Sequence, residues 1–227
     1  MGLSRVTVGP HCSAGRSQSP VIIRTIIERS PATTPALARP LASSAHTGHS
    51  GRVAPRVPAL LLTGAPGSGK TALAHEISEL LWQLGEPHAV IDLDELARGV
   101  IPGGSDDFNL ALTVDNMKTV WDNFRATGVG RLVLARVVRT NEELRRLCDA
   151  LPDCDVSVWR VVASDDEIAV RITRREAGSA RDFLLRVARE LNADLADLPG
   201  EMVVNDGSVS ITDVARTVLT RAHWPCP

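Results

Sequence analysis

GAPGSGKT, residues Gly64 to Thr71, stands between the apolar run ALLLT and the segment ALAHEISELLWQL. It fits the pattern G-x-x-x-x-G-K-[ST], and a strand before it and a helix after it are the context that the pattern requires. Gly64, Gly67 and Gly69 let the backbone curl until successive N–H groups face one point at a helix N-terminus, where an anion is stabilised. Ala65, Pro66 and Ser68 complete the turn and lend their backbone to the same cradle. Lys70 is spaced to reach β- and γ-phosphates, and Thr71 to offer its hydroxyl to Mg²⁺. Of the 25 basic residues only Lys70 and Lys118 are lysine. A chain that otherwise uses arginine thus keeps a compact ammonium on a flexible stem inside this loop. The expected ligands are a nucleoside triphosphate and Mg²⁺.

Outward from the loop, apolar runs alternate with helical patterns. ALLLT, HAVIDLD, RLVLARVV, VSVWRVVA and EMVVND read as five strands. KTALAHEISELLWQL places Leu73, Ile77, Leu80, Leu81 and Leu84 on one helical face, with Gly85 as its stop. A second helix carries Val114, Met117, Val120, Trp121 and Phe124 at core spacing and closes at Gly128. Thr140 with Glu143, and Ser164 with Glu167, form capping-box pairs that open NEELRRLCDAL and EIAVRITRRE, the latter ending at Gly178. ARDFLLRVARELNADLADL and SITDVARTVLTRA complete the helices. Strands separated by helices predict a parallel sheet covered on both faces, and the near-continuous apolarity of the strands agrees.

Charge divides the 227-residue chain. From Met1 to Pro58 seven arginines face a single acid, Glu28, for a net +6, whereas the remainder holds 18 basic and 26 acidic residues, a net −8. Residues 1–57 read as a disordered basic tail rich in Ser, Pro and Ala, and 58–227 as one folded domain. Such a terminus is compatible with an organelle transit peptide, but an unstructured extension or an upstream start codon is preferred. No apolar run reaches the roughly 18 residues of a membrane span. Cys12, Cys148, Cys154 and Cys226 form no Cys-x-x-Cys pair, which argues against a zinc site and against a disulfide scaffold. The acidic balance of the second part opposes general nucleic-acid binding. The expectation is a soluble, cytoplasmic monomer or homodimer with no membrane or specific nucleic-acid partner.

The spacing GxxGxGKT, followed downstream by IDLD, resembles the small P-loop kinases of metabolites: the adenylylsulfate kinase, gluconate kinase and chloramphenicol phosphotransferase group. The likeness spans residues 58 to 224 and also draws on IDLDELARG, RITRREAG and VVNDGS. It implies an α/β P-loop NTPase three-layer sandwich, a five-stranded parallel sheet with helices on both faces, nucleoside-kinase-like with an arginine-bearing lid. The implied activity is ATP-dependent transfer of the γ-phosphoryl group to a hydroxyl of a small molecule.

Asp92 and Asp94, two apart on a strand, are expected to project from one face. In the kinases resembled, carboxylates here face the acceptor and the metal. One would take the acceptor's proton and the other hold Mg²⁺ through water; Asp92 is preferred as base because it directly follows the apolar run, while it also stands with Thr71 as a metal candidate. DLDELARG reads alternatively as Asp94 capping a short helix. Arg98 follows within one turn. Arg171, Arg174 and Arg175 share a helix, and the resemblance implies that a mobile lid carries such arginines over the phosphates, Arg175 being preferred as the catalytic one. A solvated charged face is the plain alternative. Asn205, Asp206 and Gly207 fall where the related kinases wrap adenine, or form a simple turn. RLVLARVV ends with Arg136 and Arg139 in place of the Asp that many P-loop ATPases use for the metal, which disfavours a motor, transporter or switch. Two other readings stand: a regulatory ATP-binding protein or ATPase without a small-molecule acceptor, and a kinase of nucleic-acid ends or nucleotide-sugars.

Overall fold

The structure, a computed structural model, describes residues 55–99, 102 and 107–227. Residues 1–54 of the expected tail and most of IPGGSDD lie outside the described residues.

Strand β1 (Val57–Thr63) is apolar at consecutive positions because both its faces are covered. Ala59 and Leu61 pack into one helical layer, Leu60 and Leu62 into the other. It lies at the centre of a five-stranded, all-parallel sheet with β2 (Ala89–Asp92), β3 (Leu132–Ala135), β4 (Cys154–Val162) and β5 (Glu201–Val204), in the order β2-β3-β1-β4-β5. Pro58 is tolerated inside it because pairing with β3 begins only at Ala59.

Helices α1 (Lys70–Gln83) and α7 (Ile211–Arg221) cover one face, burying Leu73, Ile77, Leu81, Val214 and Val218 against Trp159 and Val203. On the other face lie α3 (Leu110–Ala126), α4 (Asn141–Asp149), α5 (Asp165–Arg175) and α6 (Gly178–Asp194). Met117 and Trp121 are fully enclosed there, and the Trp121 indole N–H donates to Asp153 Oδ2 at 3.3 Å. The periodicity overreached at Leu84, the exposed C-cap of α1, and at Phe124, which is also exposed.

Helix boundaries follow local chemistry. Thr140 Oγ1 accepts from the Glu143 N–H and Ser164 Oγ from the Glu167 N–H, as the capping-box spacing predicts; Ser210 caps α7 in the same way through Asp213. Gly178 opens α6 instead of closing α5, whose cap is Glu176. The second strand ends sooner than HAVIDLD suggested. Asp92 turns the chain into the short helix α2 (Leu93–Leu96), its Oδ1 accepting the Asp94 N–H at 3.1 Å. Asp94 is therefore helical, and the expectation that both carboxylates project from one strand face is corrected. The cap is Asp92, not Asp94.

With all strands parallel, Thr63, Asp92, Ala135, Val162 and Val204 end on one edge. From β1 the sheet is reached in one direction through β3 and in the other through β4, and such an edge is where open α/β sheets bind ligands.

Candidate functional site

The loop from Gly64 to Lys70 joins β1 to α1 on that edge. A Cβ on Gly64 would stand 2.3 Å from the Val161 carbonyl oxygen, so the loop can lie this close to β4 only with glycine there. Gly69 is left-handed (φ +98°), and a Cβ on it would meet Asn205 Nδ2 at 2.2 Å. The turn is closed by Ser68 N–H on the Ala65 carbonyl at 3.1 Å. Gly69, at the N-cap of α1, brings no side chain to the helix N-terminus.

Three observations fit this loop to an anionic phosphate chain. The Ser68 hydroxyl is buried with no hydrogen-bond partner among the described residues. Lys70 is buried, its Nζ folded back onto the Ala65 carbonyl at 3.2 Å. Burial lowers the Lys70 pKa, with the charges of Asp94 and Asp92 opposing the fall and that of Arg175 adding to it. An ammonium desolvated in this way gains most from an incoming anion.

At the end of β2, Thr71 Oγ1 donates to Asp92 Oδ2 at 2.7 Å. Thr71 and Asp92 therefore form one oxygen-lined corner, the hard-ligand chemistry that suits Mg²⁺. Asp94 reaches instead toward β3, where Oδ2 accepts the Val137 N–H at 3.4 Å and Oδ1 lies 3.7 Å from Arg136 Nη1. Burial pushes the Asp94 pKa above the ordinary carboxylate value, although Lys70 and Arg136 pull the other way. Arg136 is 2% exposed and also donates to Thr113 Oγ1 at 3.2 Å. Its pairing with Asp94 was not anticipated; the signal was a lone charge at the carboxyl end of a buried strand. Arg139 is gripped by Glu143, with Nε to Oε1 at 3.0 Å, and its guanidinium covers the Phe108 ring at 4.2 Å. Phe108 is exposed, and both it and Asn109 have positive φ (62° and 51°), a conformation held by Asn109 Nδ2 on the Ala97 carbonyl at 2.9 Å. Arg98 pairs outward with Glu95.

The β4–β5 side is built differently. Arg171 donates through Nε to Glu167 Oε1 at 2.8 Å and through Nη1 to the Ser68 carbonyl at 3.1 Å. Buried Asn205 donates through Nδ2 to the same carbonyl at 2.8 Å, while its own N–H extends the sheet to the Val162 carbonyl at 2.7 Å. Arg175 pairs with Glu176 and acts on Lys70 only through its charge. Arg174, one helical turn after Arg171, is exposed beside Ala169, Val170 and Thr173. Asp206 forms an exposed turn, Oδ1 accepting the Ser208 N–H, and Gly207 follows it. The structure thus brings Gly64 to Thr71, Asp92, Asp94, Arg171 and Asn205 together, and leaves Arg174 outside the group.

No family model matches the sequence, and no curated protein matches it. Solved structures do. The Deinococcus radiodurans tunicamycin resistance protein is similar at TM-score 0.52 and 20% identity, over 75% of this chain and 98% of that one. The Mycobacterium tuberculosis APS kinase CysC, in complex with AMPPNP and APS, gives 0.52 at 19% identity, over 74% and 98%. A gluconokinase from Sinorhizobium meliloti 1021 gives 0.52 at 15% identity, over 75% and 94%. The fold is that of the P-loop small-molecule kinases. In this P-loop kinase fold the glycine loop follows the central strand, as the sequence pattern required. Among the described residues no helix is long and apolar enough to cross a membrane.

Proposed function

We propose that this chain is an ATP-dependent phosphotransferase that moves the γ-phosphoryl group to a hydroxyl of a small molecule. One observation carries the proposal: beside the phosphate loop, Asp92 is hydrogen-bonded to Thr71 while Asp94, two residues on, is turned toward Arg136. Two carboxylates at one edge are thereby given two different jobs. Neighbours described as a gluconokinase and as an APS kinase with AMPPNP support a kinase that uses an adenine nucleotide.

The backbone from Gly64 to Gly69 and the Lys70 ammonium hold the β- and γ-phosphates. Thr71 and Asp92 flank the metal position; Mg²⁺, when bound there, offsets charge on the phosphate oxygens. Asp94 is the base. Its carboxylate takes the proton of the acceptor hydroxyl, the acceptor oxygen bonds to the γ-phosphorus, and the bond to the β,γ-bridging oxygen breaks to release ADP. Its side chain is partly exposed at the edge, and desolvation raises its pKa, which favours its taking a proton. This reverses the preference for Asp92, which is bonded to Thr71 and is thereby assigned to the metal position. Arg136 keeps Asp94 aimed, and Arg175 adds positive charge near Lys70.

The test is a screen of hydroxylated metabolites and of aminocyclitol and amphenicol antibiotics for ADP release above background hydrolysis. An acceptor that accelerates ADP release in the wild type but not in Asp94→Asn is the expected result. ADP release that responds to no small acceptor and rises with a macromolecular partner would replace this assignment with a regulatory ATPase.

A further inference from the structure

The Ser68 carbonyl receives two donors from elements far apart in sequence. Asn205 Nδ2, from the end of β5, lies at 2.8 Å and Arg171 Nη1, from α5, at 3.1 Å. Both donors are themselves fixed. The Asn205 backbone N–H is tied to the Val162 carbonyl, and the side chain is buried. Arg171 is held by Glu167, whose N–H is in turn capped by Ser164. Arg171 also approaches the Gly67 carbonyl at 3.5 Å.

A trans peptide is planar, with its C=O and the following N–H pointing in opposite directions. Drawing the Ser68 C=O toward β5 and α5 therefore turns the Gly69 N–H away from them. Gly69 permits this because its left-handed φ of +98° is open to glycine and because any Cβ would collide with the Asn205 amide. From this geometry we infer that Asn205 and Arg171 are positioning residues: together they set the plane of the Ser68–Gly69 peptide so that its N–H is presented to the triphosphate. The inference rests on the loop's holding a triphosphate and adds what keeps that loop in its binding shape. It gives Asn205 work on the phosphates, not on the base.

Equilibrium binding of two probes to the full chain tests it: Mg²⁺–AMPPNP, and inorganic tripolyphosphate, which has no base or ribose. Asn205→Leu and Arg171→Met are each expected to weaken AMPPNP binding about tenfold, the scale of a lost buried hydrogen bond, with an equal loss for tripolyphosphate. The double variant should lose less than the product of the two single losses, because both act on one carbonyl. Arg171→Lys, which keeps a cationic donor, should recover most of the affinity, a rescue that mere loosening of the fold would not give. Should Asn205→Leu fail to fold, the half-buried Arg171 pair of variants carries the same measurement. A loss seen with AMPPNP but not with tripolyphosphate overturns the inference in favour of contact with the base. So does wild-type affinity for both probes in a variant that melts cooperatively. A wild type that binds neither probe would remove the nucleotide assignment itself.

Discussion

At the start of α4 the Thr140 hydroxyl accepts the Glu143 N–H, and the Glu143 carboxylate reaches back to Arg139. At the start of α5 Ser164 and Glu167 repeat that arrangement, but the Glu167 carboxylate reaches forward to Arg171. The direction of reach decides what each arginine touches. Arg139 is left over the exposed Phe108 ring on the β2–β3 side, whereas Arg171 is carried onto the Ser68 carbonyl. The same contrast runs along the whole edge. Its β2–β3 half presents side-chain charge in Asp92, Asp94 and Arg136, and its β4–β5 half presents donors to loop backbone. On the proposed function this would separate chemistry on the acceptor from the shaping of the nucleotide loop, with Lys70 between them.

Lys70→Ala strikes the junction of the two halves. It is expected to lower phosphoryl transfer by about 10³-fold, the upper range for one donor to developing charge, and to weaken Mg²⁺–AMPPNP binding as well. Single-turnover rates and titration of the same preparation would show both losses. Asp94→Asn is expected to lower transfer by about 10²- to 10³-fold, the lower part of the range for a positioned base, and to leave AMPPNP affinity nearly unchanged. Equal losses in transfer and in nucleotide affinity would break the division between the halves.

The pH profile sharpens the same comparison. Burial raises the Asp94 pKa above its ordinary value of 3.8, so the folded protein holds that proton more tightly than the unfolded chain does. Transfer should fall as pH is lowered through the raised pKa, and the acid limb should lie above pH 3.8 and move or vanish in Asp94→Asn. The stability sign follows: the ionised carboxylate detracts from stability at neutral pH, and that penalty is relieved as pH falls through the folded pKa. AMPPNP titrations of Asn205→Leu and the wild type should keep a constant ratio across the limb.

How much of this was legible depended on where each signal is written. The loop between β1 and α1 is local, and its glycines are demanded by backbone geometry, so GAPGSGKT announced its shape. The caps at Thr140 and Ser164 were legible for the same reason, since hydroxyl and glutamate lie three residues apart. IDLDEL was ambiguous because it alternates like a strand and also carries a capping aspartate; the cap prevailed, and Asp94 left the strand. Arg136 was noticed only for standing where another residue was expected, because its partner Asp94 is distant in sequence and packing alone unites them. The clamp on Ser68 had no signature. Its acceptor is a backbone carbonyl, and its donors lie 103 and 137 residues away.

The smallest expected effect separates the two caps. Thr140→Ala and Ser164→Ala should each cost about 1 kcal/mol, seen as a fall in Tm of about 2–4 °C for a domain of this size. Their functional consequences should differ, because Glu167 orients Arg171 on the loop while Glu143 holds Arg139, which lies over Phe108. Ser164→Ala is therefore expected to raise the KM for ATP modestly, and Thr140→Ala to leave it unchanged. Matched Tm values with that split in KM would trace the link from Ser164 through Glu167 and Arg171 to the Ser68 carbonyl. An equal KM shift in Thr140→Ala would mean that general loosening of the helix starts, and not the direction in which each glutamate reaches, governs the loop.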